Sequence, residues 1–403
     1  MSRVLMLSRH KGQLDRRIIA EINTLIASGR HVTLVSIPTV IPPNCFDGPI
    51  RLIMQPVDQA ASHITARLKH LVYRLPSRLE NLMKTAWHCL HLSSLSDYFL
   101  EVTPRETFDV IHCHDLDTLP AGVALRNSIT PSAKLIYDAH EFFPFQYPIG
   151  AKRQRDWSRM EDAYIRETSL VLTVNETIAG ELTRLYGIAK PEVIYNSYGT
   201  QSSSTQLTEQ TFLEHFEAQA GGFHVIYQGA FIREKNLENL LKAFRGFTAS
   251  TQLFLLGAGP AEMQLKTLRK KCGLSHVFFG PWVPQEDLLH YLAHAHLGII
   301  PYAGSTILNN LYCTPNKLFE FIEAGIPICA SDLPELRRIV AGNGIGDVYP
   351  MENAEAIACA IETCRARALR GDFAASARRA TREMFAWEKQ GTKLVALYEK
   401  LGV

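Results

Sequence analysis

A succession of short apolar runs, each followed by a polar turn and a helical pattern, constrains this chain more than any other feature. The runs are Val4–Leu7, Val32–Ile37, Asp109–Cys113, Lys134–Ala139 and Leu170–Val174, then Val225–Gly229, Gln252–Gly257, His276–Gly280, Leu297–Pro301 and Pro327–Ser331. They are apolar throughout rather than alternating, as strands buried on both faces are. Helical patterns lie between them, among them Arg17–Ser28, Leu237–Phe247, Ala261–Cys272 and Glu286–Ala295. Repeated βα units predict an α/β fold with parallel sheets covered by helices on both sides.

At 403 residues the chain is too long for one ordinary core and suits two domains. The βα rhythm breaks over Gly199–Gly222, where TQSSSTQ and a polar, acidic stretch intervene. We therefore expect one Rossmann-like domain over 1–199 and a second over 200–384. The tail, 385–403, carries Phe385, Trp387, Leu394 and Tyr398 and needs a partner surface, for which we expect the first domain. A cleft facing the carboxyl ends of the strands is the expected ligand site.

Composition removes several classes. Hydrophobic residues make up 46% and charged residues 20%, which excludes a disordered chain. A net charge of +2 argues against a nucleic-acid partner. The 8 cysteines form no CxxC and read as reduced thiols of a cytoplasmic protein. Val4–Leu7 reads as a buried strand rather than a signal peptide, and no run approaches the ~18 apolar residues of a membrane span. His63–Leu92 places Arg67, Lys69, Arg74, Arg78 and Lys84 against the single acid Glu80, interleaved with apolar residues. We expect it to meet the anionic inner face of the cytoplasmic membrane as a peripheral contact.

Four segments could carry chemistry. In TPNKLFEFIEAG, Thr314-Pro315 can open a helix whose first turns hold Asn316, Lys317, Leu318 and Glu320. Unpaired N–H groups there attract an anion, Lys317 adds a charge, and Glu320 can accept hydrogen bonds from a diol. In YQGAFIREKNL, a strand end and a helix start flank Arg233 and Lys235, which suits a phosphate. LLGAGP places Gly257 and Gly259 in a strand–turn–helix, although GxG by itself is a weak dinucleotide signal. YDAHEFFP puts Asp138, His140 and Glu141 at the carboxyl end of a strand. HCHDLD (His112–Asp117) contains ligand-type residues, but one strand end does not make them converge, so we expect no metal. No GxSxG nucleophile motif is present.

Together these segments resemble the retaining glycosyltransferases of family 4, group 1, which have the GT-B architecture of two facing Rossmann-like domains. The resemblance extends to DRRIIAEINTLIASGRHVTLV, HDLDTLPAGVALR, VLTVNETIAGEL and FGPWVPQEDLLHYLAHAHLGIIPY. It implies that Lys235 binds the donor diphosphate, that Glu320 holds the nucleotide ribose and that His140 lies near the transferred sugar, the three as catalytic residues. It places Gly12 in the first-domain loop that approaches the phosphates and Val283 in the segment lining the base. The implied nucleotide set is completed by Arg233, Gly257, Gly259, Thr314, Asn316, Lys317 and Leu318, and the donor-sugar set by Tyr312 and Asn316. Three positions differ from the family. Ala230 stands where a basic residue often precedes the lysine, Tyr312 replaces the first acid of the paired-acid motif, and the first-domain loop lacks the usual glycine pair.

The activity so implied moves a sugar from a uridine or guanosine diphosphate donor to an acceptor hydroxyl with retained configuration. It needs no cofactor, and its partners are the donor and a glycan or lipid-linked acceptor, as in bacterial cell-envelope polysaccharide or glycolipid synthesis. Two rivals are a sugar-nucleotide epimerase of the same architecture, which needs no acceptor, and a non-catalytic sugar-binding protein.

Overall fold

The structure, a computed structural model, describes residues 2–10, 12–55, 95–146, 150–197, 207–280, 283–284, 287–304 and 307–403. The basic segment His63–Leu92 and the TQSSSTQ stretch lie outside the described residues. The chain forms two compact units, Met1–Ile194 with Gly391–Val403, and Tyr195–Gln390.

The first unit holds seven strands: β1 Arg3–Ser8, β2 His31–Ser36, β3 Arg51–Ile53, β4 Val110–His114, β5 Lys134–Ala139, β6 Leu170–Thr173 and β7 Glu192–Val193. Their order is β3-β2-β1-β4-β5-β6-β7, all parallel. The second unit holds β8 Phe223–Gln228, β9 Thr251–Leu256, β10 Val277–Phe279, β11 Leu297–Ile300, β12 Ile328–Ser331 and β13 Gly346–Tyr349, in the order β10-β9-β8-β11-β12-β13, again parallel. Every apolar run named above forms a strand. The strands that sequence reading missed, β3, β7 and β13, are all at sheet edges. An edge strand buries less of its surface, so it lacks the continuous apolar run that marks an inner one.

In each sheet the order reverses once, between β1 and β4 and between β8 and β11. Loops that leave the two strands at a reversal diverge to opposite faces, and the gap between them is where α/β sheets bind ligands. Two helices of the first unit are well started. Asp15 caps the helix Arg16–Ala27 by accepting from the Arg17 amide, and Asn175 caps Glu176–Tyr186 through the Ile178 amide.

The expected boundary at residue 199 falls at Ile194, and the tail divides later than residue 385. Phe385 is buried in the core of the second unit beside Phe319 and Tyr195. The helix Trp387–Lys400 then continues into the first unit, where Leu394 and Tyr398 are fully buried. Lys393 pairs there with Glu192 at 2.8 Å, and Arg30 donates to the Val403 carbonyl at 2.7 Å. Among the described residues, no helix is long and apolar enough to cross a membrane.

Candidate active site

In the first unit, the carboxyl ends of β4 and β5 assemble a buried ionic network. His114 and Asp138 are direct register partners across these strands. Arg17, in the first turn of its helix, is buried and grips Asp138 with two bonds, Nε to Oδ2 at 3.0 Å and Nη2 to Oδ1 at 2.9 Å. Its Nε also lies 3.0 Å from Glu21 Oε1, and its Nη1 donates to the Ile194 carbonyl. A buried guanidinium requires this kind of saturation, since an unpaired charge there would cost several kcal/mol.

His140 extends the network. Its Nε2 lies 3.1 Å from Asp138 Oδ2 and 3.1 Å from His114 Nδ1, while its backbone N–H donates to Asp115 Oδ1 at 3.1 Å. Burial opposes a charge on His140, but Asp138 and then Asp115 outweigh it and push its pKa up to about 10. Burial likewise opposes the charge of Asp138, yet Arg17 and His140 hold it well below the usual carboxylate range. Burial drives His112 and His114 the other way, so both rings are neutral near pH 7. Asp115 takes a left-handed backbone (φ 64°) that lets its amide reach the Asp138 carbonyl at 2.9 Å. Across the strand-order reversal, Arg9 after β1 meets Asp117 after β4 at 2.9 Å. Gly12 lies exposed in the same loop with φ 93°, and its carbonyl accepts from Thr39 Oγ1 and the Val40 amide.

HCHDLD thus has a place that sequence reading did not assign to it: His112, His114, Asp115 and Asp117 all surround the His140 end of β5. Glu21, His112, His114 and Asp138 each put a ligand-type atom within 4.8 Å of the others. The Arg17 guanidinium already contacts both carboxylates of this group, and burial, then Asp138, raise the Glu21 pKa to about 8, so its carboxyl keeps a proton. A protonated carboxyl is a poor metal ligand, and Arg17 supplies the compensating charge that an ion would bring.

In the second unit, two lysines meet beside the other reversal. Lys235 ends a short 3-10 turn, Arg233–Lys235, after β8. Its Nζ lies 4.2 Å from the ring centre of Tyr302, which follows β11. Lys317 Nζ lies 3.8 Å from the Tyr227 ring centre and 5.4 Å from that of Tyr302. Aromatic faces attract such cations and are far cheaper neighbours for them than aliphatic walls. Burial, then the charge of Lys235, depress the Lys317 pKa well below that of an ordinary lysine. Arg233, in the same turn, is exposed.

Lys317 and Glu320 belong to the helix Asn316–Ala324, which Pro315 precedes with no side-chain cap. Glu320 is only 3% exposed and stands one turn beyond Asn316, on the same face. The Asn316 carboxamide oxygen accepts from Asn196 Nδ2 at 2.8 Å. Thr314 is buried just before the helix, and Tyr312 closes the preceding turn with its amide on the Leu308 carbonyl. Val283 is half-buried against the core of this unit.

Three of the expected contact residues have packing partners of their own. Leu318 is fully buried in the core, and its amide is spent on the Pro315 carbonyl at 2.8 Å. Gly257 and Gly259 are glycines because the turns after β8 and β9 press together. A Cβ on Gly257 would lie 2.1 Å from the Gly229 carbonyl oxygen, and one on Gly259 2.5 Å from that of Phe231. Their φ values of 148° and 157° also favour glycine. Tyr227 and Tyr302 were missed in the sequence. Tyr227 carried a signal, at the end of a strand beside a basic loop, whereas the loop after Tyr302 has no basic residue to mark it.

Two family models match the chain: Glycosyltransferase Family 4 over residues 54–201 and Glycosyl transferases group 1 over 210–379. An uncharacterized glycosyltransferase of Methanocaldococcus jannaschii is 23% identical over 315 residues, 73% of this chain and 76% of the relative. Among solved structures, the sucrose-phosphate synthase of Thermosynechococcus elongatus superposes with a TM-score of 0.72 at 18% identity, over 100% of this chain and 99% of that one. Anabaena HepE, solved with UDP and glucose, gives 0.67 at 15% identity over 99% and 100%. The two parallel sheets with their helices match these GT-B folds.

Proposed function

Because the chain belongs to the group 1, family 4 glycosyltransferases, we propose that it moves a sugar from a uridine or guanosine diphosphate donor to an acceptor hydroxyl with retention of configuration. The observation that carries this reading is the meeting of Lys235 and Lys317 over Tyr302. Burial and the charge of Lys235 disfavour a second ammonium at Lys317 until an anion joins them, and a diphosphate supplies that anion. Anabaena HepE, solved with UDP and glucose, lends support to a uridine donor.

The chemistry is leaving-group stabilisation. Departing diphosphate gathers negative charge, which Lys235, Lys317 and the first amides of Asn316–Ala324 oppose. Glu320 accepts the ribose hydroxyls, and His140 addresses the transferred sugar. The acceptor hydroxyl attacks on the face the phosphate leaves and passes its proton to that phosphate, so no protein nucleophile is required. The basic stretch His63–Leu92 supports a glycan or lipid-linked acceptor at the cytoplasmic face of a bacterial envelope membrane.

Incubating the protein with UDP- and GDP-sugars, with and without candidate acceptors, tests the reading. Free nucleoside diphosphate and an α-linked product from an α-linked donor, both requiring acceptor, are expected. Conversion of the donor to its epimer without acceptor would overturn it.

A further inference from the structure

We infer that Asp138 is a positioning residue for His140, holding the ring by Nε2 so that Nδ1–H is the group presented to the donor sugar. The inference rests on the glycosyltransferase reading for its substrate, and on the geometry of the first unit for everything else. One neighbour of His140 Nε2 can only accept. Asp138 Oδ2 is ionised, being bound by Arg17, and lies 3.1 Å away. His114 Nδ1, on a buried and neutral ring, lies at the same distance. Nε2 must therefore carry a proton and point inward, where the strand register of His114 opposite Asp138 fixes its partners. Asp115 Oδ1 accepts from the backbone N–H of the same residue, so His140 is held at its backbone as well as at its ring.

The charged groups facing this pair come from several elements. Arg17 and Glu21 belong to the helix Arg16–Ala27, His112 and His114 to β4, and Asp115 to the loop after it. The Tyr398 phenol of the last helix, bonded to His112, backs them. Among these groups only Asp138 touches His140 through an ionised oxygen at its ring. Without that carboxylate the ring loses its second proton, and the one that remains stays on Nε2, where an amide oxygen in the place of the carboxylate still accepts it. Nδ1 then turns from a donor into an acceptor, opposite to what a sugar oxygen needs.

The test is Asp138→Asn, read in two ways. With 15N-histidine labelling and His140→Gln to assign the signal, wild-type His140 is expected to show imidazolium nitrogens near pH 8, and the variant a neutral ring protonated at Nε2. With a donor that the wild type uses, kcat should fall by about 100-fold while the donor KM stays within about twofold, the pattern of a misplaced group rather than a lost binding contact. Asp138→Glu keeps the charge opposite Arg17 and serves if the asparagine variant does not fold. It should shift the His140 resonances and lower kcat in the same sense. An unchanged His140 signal in a folded variant, or a rise in KM with kcat preserved, overturns the inference. The nitrogen spectrum needs no substrate, so failure of the transferase reading is distinguishable from failure of this one.

Discussion

The phenol of Tyr398 lies 2.8 Å from Nδ1 of His112, joining the last helix of the chain to the central strand of the first sheet. Both side chains are fully buried. Tyr398→Phe keeps the ring and removes only this bond, so stability should fall by about 1 kcal/mol. Urea denaturation checks this, and an unchanged midpoint would show that the tail is held by Leu394 and its neighbours alone.

Lys235→Ala should depress kcat/KM by ~2–4 kcal/mol of transition-state stabilisation, comparable to losing an oxyanion donor. The lysine faces a charge that is greatest once the diphosphate has departed. Steady-state kinetics on the folded variant measures the loss; equal kcat/KM would remove Lys235 from the site.

Binding of a nucleoside diphosphate should draw protons from solution. Lys317 sits well below the ordinary lysine pKa because of burial and Lys235. An arriving diphosphate favours its charged form, so proton uptake accompanies binding at a pH above its depressed value. Calorimetric titration with UDP in buffers of different ionisation enthalpy reads the uptake, and Lys317→Met should abolish it. Identical heats in all buffers would mean that Lys317 does not meet the phosphates.

Glu320 and Tyr312 should separate nucleotide from sugar. Glu320→Ala should weaken free nucleoside diphosphate and complete donor alike, each lost charge-assisted bond being worth ~1.5–3 kcal/mol. Tyr312→Phe and Tyr312→Glu should alter preference across a donor-sugar panel and leave free nucleotide affinity intact. Should Glu320→Ala alone change the sugar preference, the two roles have been exchanged.

Glu161 should make stability depend on pH. It is buried between the Tyr137 and Tyr186 phenols, at 2.6 and 2.7 Å, and burial raises its pKa from 4.5 to about 7. The folded state therefore keeps a proton that the unfolded chain releases. The resulting stabilisation is complete below the unfolded pKa and is lost as pH rises through about 7. Its full size is roughly 3 kcal/mol. Glu161→Gln, a permanent mimic of the protonated acid, should gain on the wild type as pH rises from about 5 to about 8. Parallel stability curves for the two proteins would contradict this.

Residues with one role in any environment were legible before the fold was known. A run such as Leu297–Ile300 is buried wherever it sits, and Pro315 opens a helix because its ring admits little else. Gly257 and Gly259 were recognised as a special turn, but a phosphate and a neighbouring backbone both demand the missing Cβ. Only the fold shows the turn after β8 pressed against them, which by itself requires glycine there.

The sequence by itself determined the parallel α/β architecture, its division into two parts and the strand-end loops that bear chemistry. These follow from local hydrophobic period and turn chemistry, which a chain carries along its length. Tertiary structure alone decided which charges are paired. Arg17 and Asp138 lie on different elements and meet only when β5 takes its place beside β4. Lys235 and Lys317 likewise converge on Tyr302 only through the order of β8, β11 and the helix after them. Electrostatic partnership depends on distance and burial, neither of which is a property of sequence spacing.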